Sequence, residues 1–424
     1  MIPTEIKEAR QTAGSEVQHR RKVLVLVTHV VQYASPTFRM LASDPRLDVT
    51  VVYCSMQGAE SGMDPEFGIE IRWDEPLLDG YQWVHIPNKS LRPGLGRFFG
   101  LWNPGLWKLI RTSKSDAMVI YTGYMNASFW LAVLAAKFSK TAIVFASDTT
   151  TLQARDGSGW KTRIKPVIVG GVYKFAADVL MASSEITKNL ALKLGLPEER
   201  VSVTRSGTNK EAWVARTKKF DRAATRSELN LPTSAPVVFY CAKLQEWKRP
   251  LDLLNGFAQA DVANAYVVFA GEGPQKQELI KQAEALGIAD RVRVLGFVNL
   301  SQLPALYNAA DLFALPSRFD NCPLVVPEAM FSGLPVILSD AVEGRLNMIR
   351  EGQSGYVYRC GDIDSLAKIL RRVLSDSAHL EQLKKGVSQQ MESWTIEDFL
   401  DSWNDAVERA IVHLHGGSGR PRQV

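Results

Sequence analysis

The chain has little histidine, six in 424 residues, and little cysteine, four. Cys54, Cys241, Cys322 and Cys360 lie far apart and form no Cys-x-x-Cys pair. That spacing argues against a zinc site or a disulfide framework, and makes a reducing compartment, the cytoplasm, the simplest setting. Long hydrophobic runs are missing as well. The longest uncharged apolar stretches, such as Phe129–Ala136 and Val167–Tyr173, fall well short of the ~20 residues a membrane-spanning helix needs. The segment Met1–Arg10 is charged from the start and lacks the apolar centre of a secretory signal. No strong charge of either sign is present: 50 basic residues stand against 45 acidic ones, a net of +5. A balance so mild and so dispersed does not point to nucleic acid. It suits a protein that holds a small anion or touches an acidic membrane surface. With 46% hydrophobic and 22% charged residues, the composition is that of an ordinary globular protein and excludes a disordered or collagen-like one.

What is present is an alternation of two kinds of segment. Near-continuous apolar runs, Val23–Thr28, Val49–Cys54, Ala117–Tyr121, Ala142–Ala146, Val179–Ala182 and Val201–Thr204, read as buried parallel strands. Helical stretches such as Asn126–Phe138, Lys161–Ala176 and Ser184–Lys193 lie between them. The rhythm breaks in a charged stretch and restarts with Val237–Cys241, Ala265–Ala270, Arg291–Leu295, Leu312–Leu315, Pro335–Leu338 and Tyr356–Tyr358. The fold class is therefore α/β, with two doubly wound parallel-sheet domains in tandem. The boundaries read as a flexible tail over 1–20, a first domain over 21–212, a linker over 213–235, a second domain over 236–392, a helix over 393–415 that crosses back, and a flexible tail over 416–424.

Ligands of such sheets bind beyond the carboxyl ends of the strands, so the polar residues at those ends matter most. In the second half, Asp320 sits in a strand-end loop, and Glu328 follows eight positions later, behind Pro327. A carboxylate there can accept hydrogen bonds from two neighbouring sugar hydroxyls; it can also simply complement a helix N-terminus. Lys243 closes a strand and Lys248 precedes a helix, a pair that suits a diphosphate but also suits a plain surface loop. Gly271 and Gly273 follow another strand and let the backbone turn tightly or approach a ligand. Gly296, Phe297 and Val298 follow a third and could offer backbone groups to a flat base, or Gly296 could simply relieve crowding at the strand end.

Taken in order, Ala242-Lys243-Leu244 through Lys248, Gly271-Glu-Gly-Pro274, and Asp320 to Glu328 followed by Ala329-Met-Phe-Ser-Gly-Leu-Pro335 resemble the nucleotide-binding domain of retaining glycosyltransferase family 4, which has the GT-B architecture of two Rossmann-like domains facing a cleft. The likeness covers Val237 to about Asp362. It implies that Glu328 holds ribose hydroxyls, that Lys243 and Lys248 hold the diphosphate and offset charge as it leaves, and that Asp320 faces the donor sugar or phosphate edge. Backbone near Phe297 would meet the base and backbone near Leu324 the phosphate. Two positions depart from the family pattern: Asp320 stands where a glutamate is usual, and Lys243 where an arginine is usual. A lysine lacks the guanidinium fork.

The first half would carry the acceptor. His29, Gln32 and Tyr33 follow the first strand and fit a His-x-x-Gln-Tyr variant of the family's loop, while His29 equally suits a capped histidine at a strand end. Thr122 occupies the place of a usual histidine, with Tyr124 beside it. Asp148 ends another strand and reads as an acceptor contact or a helix cap. Asp362-Ile-Asp364 mimics a metal-binding Asp-x-Asp, but it precedes a helical stretch, so capping explains it better. No essential metal and no cofactor are expected. The aromatic and basic stretch Phe98–Arg111 reads as a core helix with snorkelling cations or as a strip lying on an anionic bilayer. The latter would place the protein at the inner face of the cell membrane.

The resemblance therefore implies transfer of a sugar from a UDP- or GDP-sugar to a hydroxyl of a glycan, a lipid-linked or a small-molecule acceptor, in polysaccharide or glycoconjugate synthesis. A nucleotide-sugar epimerase on the same architecture, and a non-catalytic nucleotide-sugar-binding scaffold, stand as alternatives.

Overall fold

The computed structural model describes residues 20–64, 69–153, 158–204, 207–321, 323–343 and 348–416. Both tails read from the sequence lie outside these, apart from Arg20 and Gly416. Seven strands build the first sheet: β1 (Arg21–Val27), β2 (Leu47–Tyr53), β3 (Gln82–His85), β4 (Ala117–Ile120), β5 (Ala142–Ser147), β6 (Val179–Ala182) and β7 (Val201–Val203). Their order is β3-β2-β1-β4-β5-β6-β7, and every pairing is parallel. Six strands build the second: β8 (Val237–Cys241), β9 (Tyr266–Ala270), β10 (Val292–Gly296), β11 (Leu312–Leu315), β12 (Val336–Ser339) and β13 (Gly355–Tyr358). Their order is β10-β9-β8-β11-β12-β13, again parallel. Each domain thus reverses strand order beside its own first strand, which opens a crevice at the carboxyl ends. β1, β4, β5 and β6 are buried almost throughout, because runs such as Val23–Val27 leave no polar face to expose. β3 escaped the sequence reading because it is an edge strand, only half-buried, with no apolar run.

The helices of the first domain are α1 (Ser35–Ser43), α2 (Gly105–Ser113), α3 (Ala127–Ser139), α4 (Gly159–Ala176) and α5 (Glu185–Lys193). α2 to α5 bury one side on one face of the sheet, and α1 covers the other. The stretch expected as a linker is instead helical: α6 (Lys210–Thr217) and α7 (Arg222–Glu228). Trp213 and Leu231 are buried in the core of the second domain. The fully buried Arg226 fixes this segment. Its guanidinium donates to the carbonyls of Thr233 at 2.7 Å, Ala235 at 2.9 Å and Ala309 at 2.9 Å, and to Asp311 Oδ2 at 2.6 Å. A charged residue looked like a solvated linker because its partner, Asp311, lies 85 positions away.

α8 (Pro250–Ala260), α9 (Lys276–Ala285), α10 (Leu303–Ala309), α11 (Val325–Phe331), α12 (Ile363–Leu374) and α13 (Ser377–Glu392) complete the second domain. The side chain of Asp362 accepts the Ser365 N–H at 2.9 Å, so it caps α12. The last helix, α14 (Ile396–Leu414), returns to the first domain. Phe399, Trp403, Ala406, Val407 and Ala410 bury themselves in the core on the α1 face. Among the described residues, no helix is long and apolar enough to cross a membrane.

Candidate functional site in the interdomain cleft

The carboxyl ends of both sheets face one cleft of about 1580 Å³. Its first wall comes from the loops after β1, β4, β5 and β6, and its second from the loops after β8, β9, β10 and β11. The domains meet at its rim. Thr150 Oγ1 donates to Asn321 Oδ1 at 3.0 Å, the Trp73 and Phe297 rings meet edge to face at 5.5 Å, and Arg216 of α6 pairs with Glu75.

On the second wall, β8 ends at Cys241, and the chain passes Lys243 into a single 3-10 turn, Glu246–Lys248. Arg249 then adopts a left-handed φ of 52° just before Pro250 opens α8. Such a backbone is costly for a non-glycine residue. It is held by the Arg249 N–H donating to the Gln245 and Glu246 carbonyls, both at 3.2 Å, and by its guanidinium donating to Asp252 at 2.6 Å. Lys248, on this turn, forms an ion pair with Asp320. The Asp320 loop is tied on both sides: Arg318 N–H donates to the Trp247 carbonyl at 2.7 Å, and Glu343 N–H to the Asp320 carbonyl at 2.9 Å. Burial raises the Asp320 carboxyl above its ordinary range, and the Lys248 cation pulls against that rise. Lys243 lines the same wall, two residues past the end of β8.

Glu328 ends the first turn of α11 and also lines the cleft. Burial pushes its carboxyl up to about 7, against the opposing influence of the Tyr307 hydroxyl, which donates to Oε2 at 3.1 Å, and of the nearby Arg216 charge. A carboxyl that burial lifts toward neutral pH would gain from the hydroxyl donors a ligand could bring.

Glycine is required where β9 meets the β8 loop. A Cβ on Gly271 would stand 1.9 Å from the Ala242 carbonyl oxygen, and one on Gly273, at φ +153°, 2.5 Å from that of Leu244. Gly271→Ala is therefore expected to cost about 1–3 kcal/mol, the usual penalty of forced overpacking. Thermal unfolding should show a Tm several degrees lower, and an unchanged Tm would mean that the loop relaxes freely.

The structure brings most of the sequence-derived candidates together: Lys243, Lys248, Gly271, Phe297, Val298, Asp320, Leu324 and Glu328 on one wall, and His29, Gln32, Tyr33 and Asp148 on the other. His29 Nδ1 lies 2.8 Å from Thr28 Oγ1. Four candidates do not line the cleft. Gly273 and Gly296 turn the backbone behind it. Thr122 is fully buried, its hydroxyl enclosed in the first domain, and Tyr124 faces the α3 side, where its carbonyl accepts the Trp130 indole N–H at 2.9 Å. The reason is strand alternation carried one step past β4: Tyr121, not Thr122, reaches the cleft. Arg216, Tyr307, Trp247 and Asn321 were missed. Arg216 lay in the supposed linker and Tyr307 in a helix with no motif, so only the fold brings them to Glu328.

Among the described residues, no group of three or more His, Cys, Asp or Glu side chains could hold a metal ion. What the cleft offers is two lysines, a paired acid and a carboxylate near its titration point, a set suited to an anionic group joined to a polyol.

Residues 221–390 match the family model of glycosyl transferases group 1. The D-inositol 3-phosphate glycosyltransferase 1 of Catenulispora acidiphila is 31% identical over 262 residues, 58% of this chain and 60% of that protein. The alpha-D-kanosaminyltransferase of Streptomyces kanamyceticus is 27% identical over 220 residues, 50% of this chain and 55% of that protein. The matches thus span little more than half the length of these relatives. In fold, the chain is similar to Anabaena HepE crystallised with UDP and glucose, with a TM-score of 0.70 at 17% identity, covering 92% of this chain and all of that one. Two parallel-sheet, Rossmann-like domains on either side of a cleft make the architecture GT-B.

Proposed function

We propose that this chain, whose residues 221–390 match the model of glycosyl transferases group 1, is a retaining glycosyltransferase that uses a nucleotide-sugar donor. The observation that carries the reading is the convergence of Lys243, Lys248, Asp320 and Glu328 on one wall of the cleft, at the carboxyl ends of β8 and β11 and on α11. In this reading Glu328 accepts the two ribose hydroxyls. Lys243 and Lys248 hold the diphosphate of a UDP- or GDP-sugar. The bond between the anomeric carbon and the leaving phosphate oxygen breaks as the acceptor oxygen bonds to that carbon from the same face, and the acceptor proton passes to the departing diphosphate. The lysines offset the charge that grows there. No protein nucleophile takes part and no metal is assigned.

His29, Gln32, Tyr33 and Asp148 face the donor across the cleft and would orient the acceptor hydroxyl. The names of the relatives make a phosphorylated cyclitol the first acceptor to try, with glycan and lipid-linked acceptors next. A role in cell-surface polysaccharide or glycoconjugate synthesis follows if the acceptor is one of the latter.

The test is a panel of UDP- and GDP-sugars with purified protein, reading thermal stabilisation and slow release of free sugar. At least one donor is expected both to raise Tm and to be hydrolysed slowly. Stabilisation by no nucleotide at all would overturn the reading.

A further inference from the structure

The first domain carries a second surface that the cleft does not use. From Gly80 to Ala177 the sequence holds 13 Lys and Arg but only three acids, Asp116, Asp148 and Asp156. That is +10 in this stretch, which leaves −5 for the rest of a chain whose net is +5. The charge is thus concentrated, not dispersed as its total suggested.

Much of this stretch folds into α2, α3 and α4, on the sheet face opposite α1 and α14. α4 has two apolar stripes. Val169, Val172, Tyr173 and Ala176 enter the core. Ile164, Val167, Ile168 and Phe175 do not: they face outward, Val167 at 76% exposure. A helix that is apolar on both sides belongs in an interior, yet one side of this helix meets none. The exposed surface continues onto α3 through Phe138, which is 73% exposed, and onto the turn before α2 through Phe99 at 66%. Ring contacts join the three helices: Trp107 of α2 to Phe138 of α3 at 5.4 Å and Trp130 of α3 to Phe175 of α4 at 6.2 Å. Cations edge the rings. Lys137 Nζ lies 5.1 Å from the Phe175 centroid, the Lys161 Nζ 5.8 Å from that of Trp160, and the Arg111 guanidinium 5.7 Å from that of Trp107. α2, α3 and α4 contain no acidic residue.

We propose that this three-helix face docks the protein on an anionic lipid bilayer. Apolar side chains of this size insert at the boundary between headgroups and acyl chains, and surrounding lysines and arginines bind acidic headgroups. The three helices carry no acid, which suits that partner, because a carboxylate among them would be repelled. A nucleic acid would match the charge but leave Ile164, Val167 and Ile168 in water. The docking stretch is wider than Phe98–Arg111, which the sequence alone singled out, and α4 is its centre. The docking stands whether or not the cleft transfers sugar.

The experiment is co-sedimentation of the full chain with vesicles of phosphatidylcholine alone and of phosphatidylcholine with about one-third phosphatidylglycerol. Partitioning onto the anionic vesicles is expected to exceed that onto neutral ones at least ~10-fold, and to fall as salt is raised. Val167→Glu with Ile168→Glu should remove that binding, while Tm and its response to nucleotide stay as in the parent, since both side chains lie outside the core. A second pair, Lys161→Glu with Lys137→Glu, should weaken only the anionic-vesicle binding. Equal partitioning of parent and variants, or no binding to anionic vesicles, would overturn the proposal. So would a concentration-dependent dimer that the Val167 and Ile168 changes dissociate, because the face would then belong to a second copy.

Discussion

Replacing Lys248 with alanine is expected to lower kcat/KM for sugar transfer by about 10²–10³-fold, the range seen when one preorganised donor to a developing anion is removed. The loss should fall mainly on kcat, because negative charge grows on the diphosphate only as the glycosidic bond breaks. Lys248 has a second partner, and that sharpens the test. It pairs with Asp320, whose carboxyl burial already disfavours in its charged form. Without the lysine, Asp320 would stand uncompensated beside the diphosphate, so part of the loss would come from a stranded charge. Lys248→Ala with Asp320→Asn should therefore be less impaired than the sum of the two single changes predicts. Strict additivity in that double-mutant cycle would mean that the pair does not act as a unit. Lys248→Arg should recover only part of the activity, since a planar guanidinium does not occupy the place of a compact ammonium.

The second large effect concerns Glu328. Glu328→Gln is expected to weaken nucleoside diphosphate binding by roughly 10–100-fold, the value of hydrogen bonds to a charged acceptor. It should also remove a pH dependence. In the free protein, burial holds this carboxyl at about 7, above an ordinary 4.5. Ribose hydroxyls donate best to the ionised form, so binding expels a proton, and the parent's affinity should rise with pH through about 7 and level off above it. The diphosphate itself titrates near this range, so the quantity to read is the parent's profile minus that of the Gln variant. Stability should move the opposite way. Between 4.5 and 7 the folded protein holds a proton at Glu328 that the unfolded chain has lost, so this group's contribution declines as pH rises across that window. Above it, the ligand-free Gln variant should unfold at a higher temperature than the parent while binding nucleotide less well. A variant that loses both stability and affinity would assign Glu328 to packing instead.

The fold was legible wherever a strand is buried on both faces. β1, β4, β5, β6, β8 and β11 are short apolar runs rich in β-branched and aromatic residues, whereas the longer apolar runs Phe129–Ala136 and Val167–Tyr173 are helical. β3 was not legible, because an edge strand has a wet side. The error over residues 213–235 came from treating charge as a sign of solvent. Arg226 is among the largest fully buried side chains, and its carbonyl and carboxylate partners are set by tertiary packing. The site was legible where the chemistry sits in consecutive residues: the Lys243–Lys248 loop and the Asp320–Glu328 segment. It was not legible where a residue reaches the cleft from another element. Arg216 and Tyr307 act on Glu328 from α6 and α10, and no local pattern marks either. At Thr122 the strand register decided: one position shifts the side chain from cleft to core, and Tyr121 has the cleft side. The charge reading failed for a different reason, since a total near zero hides a basic segment set against an acidic remainder.

The most direct measurement is a crystal structure of the chain grown with UDP or GDP. The diphosphate is expected within hydrogen-bond reach of the Lys243 and Lys248 ammonium groups, and both ribose hydroxyls on the Glu328 carboxylate. A nucleotide bound elsewhere, or bound in the cleft with Glu328 still held only by Tyr307, would contradict the account.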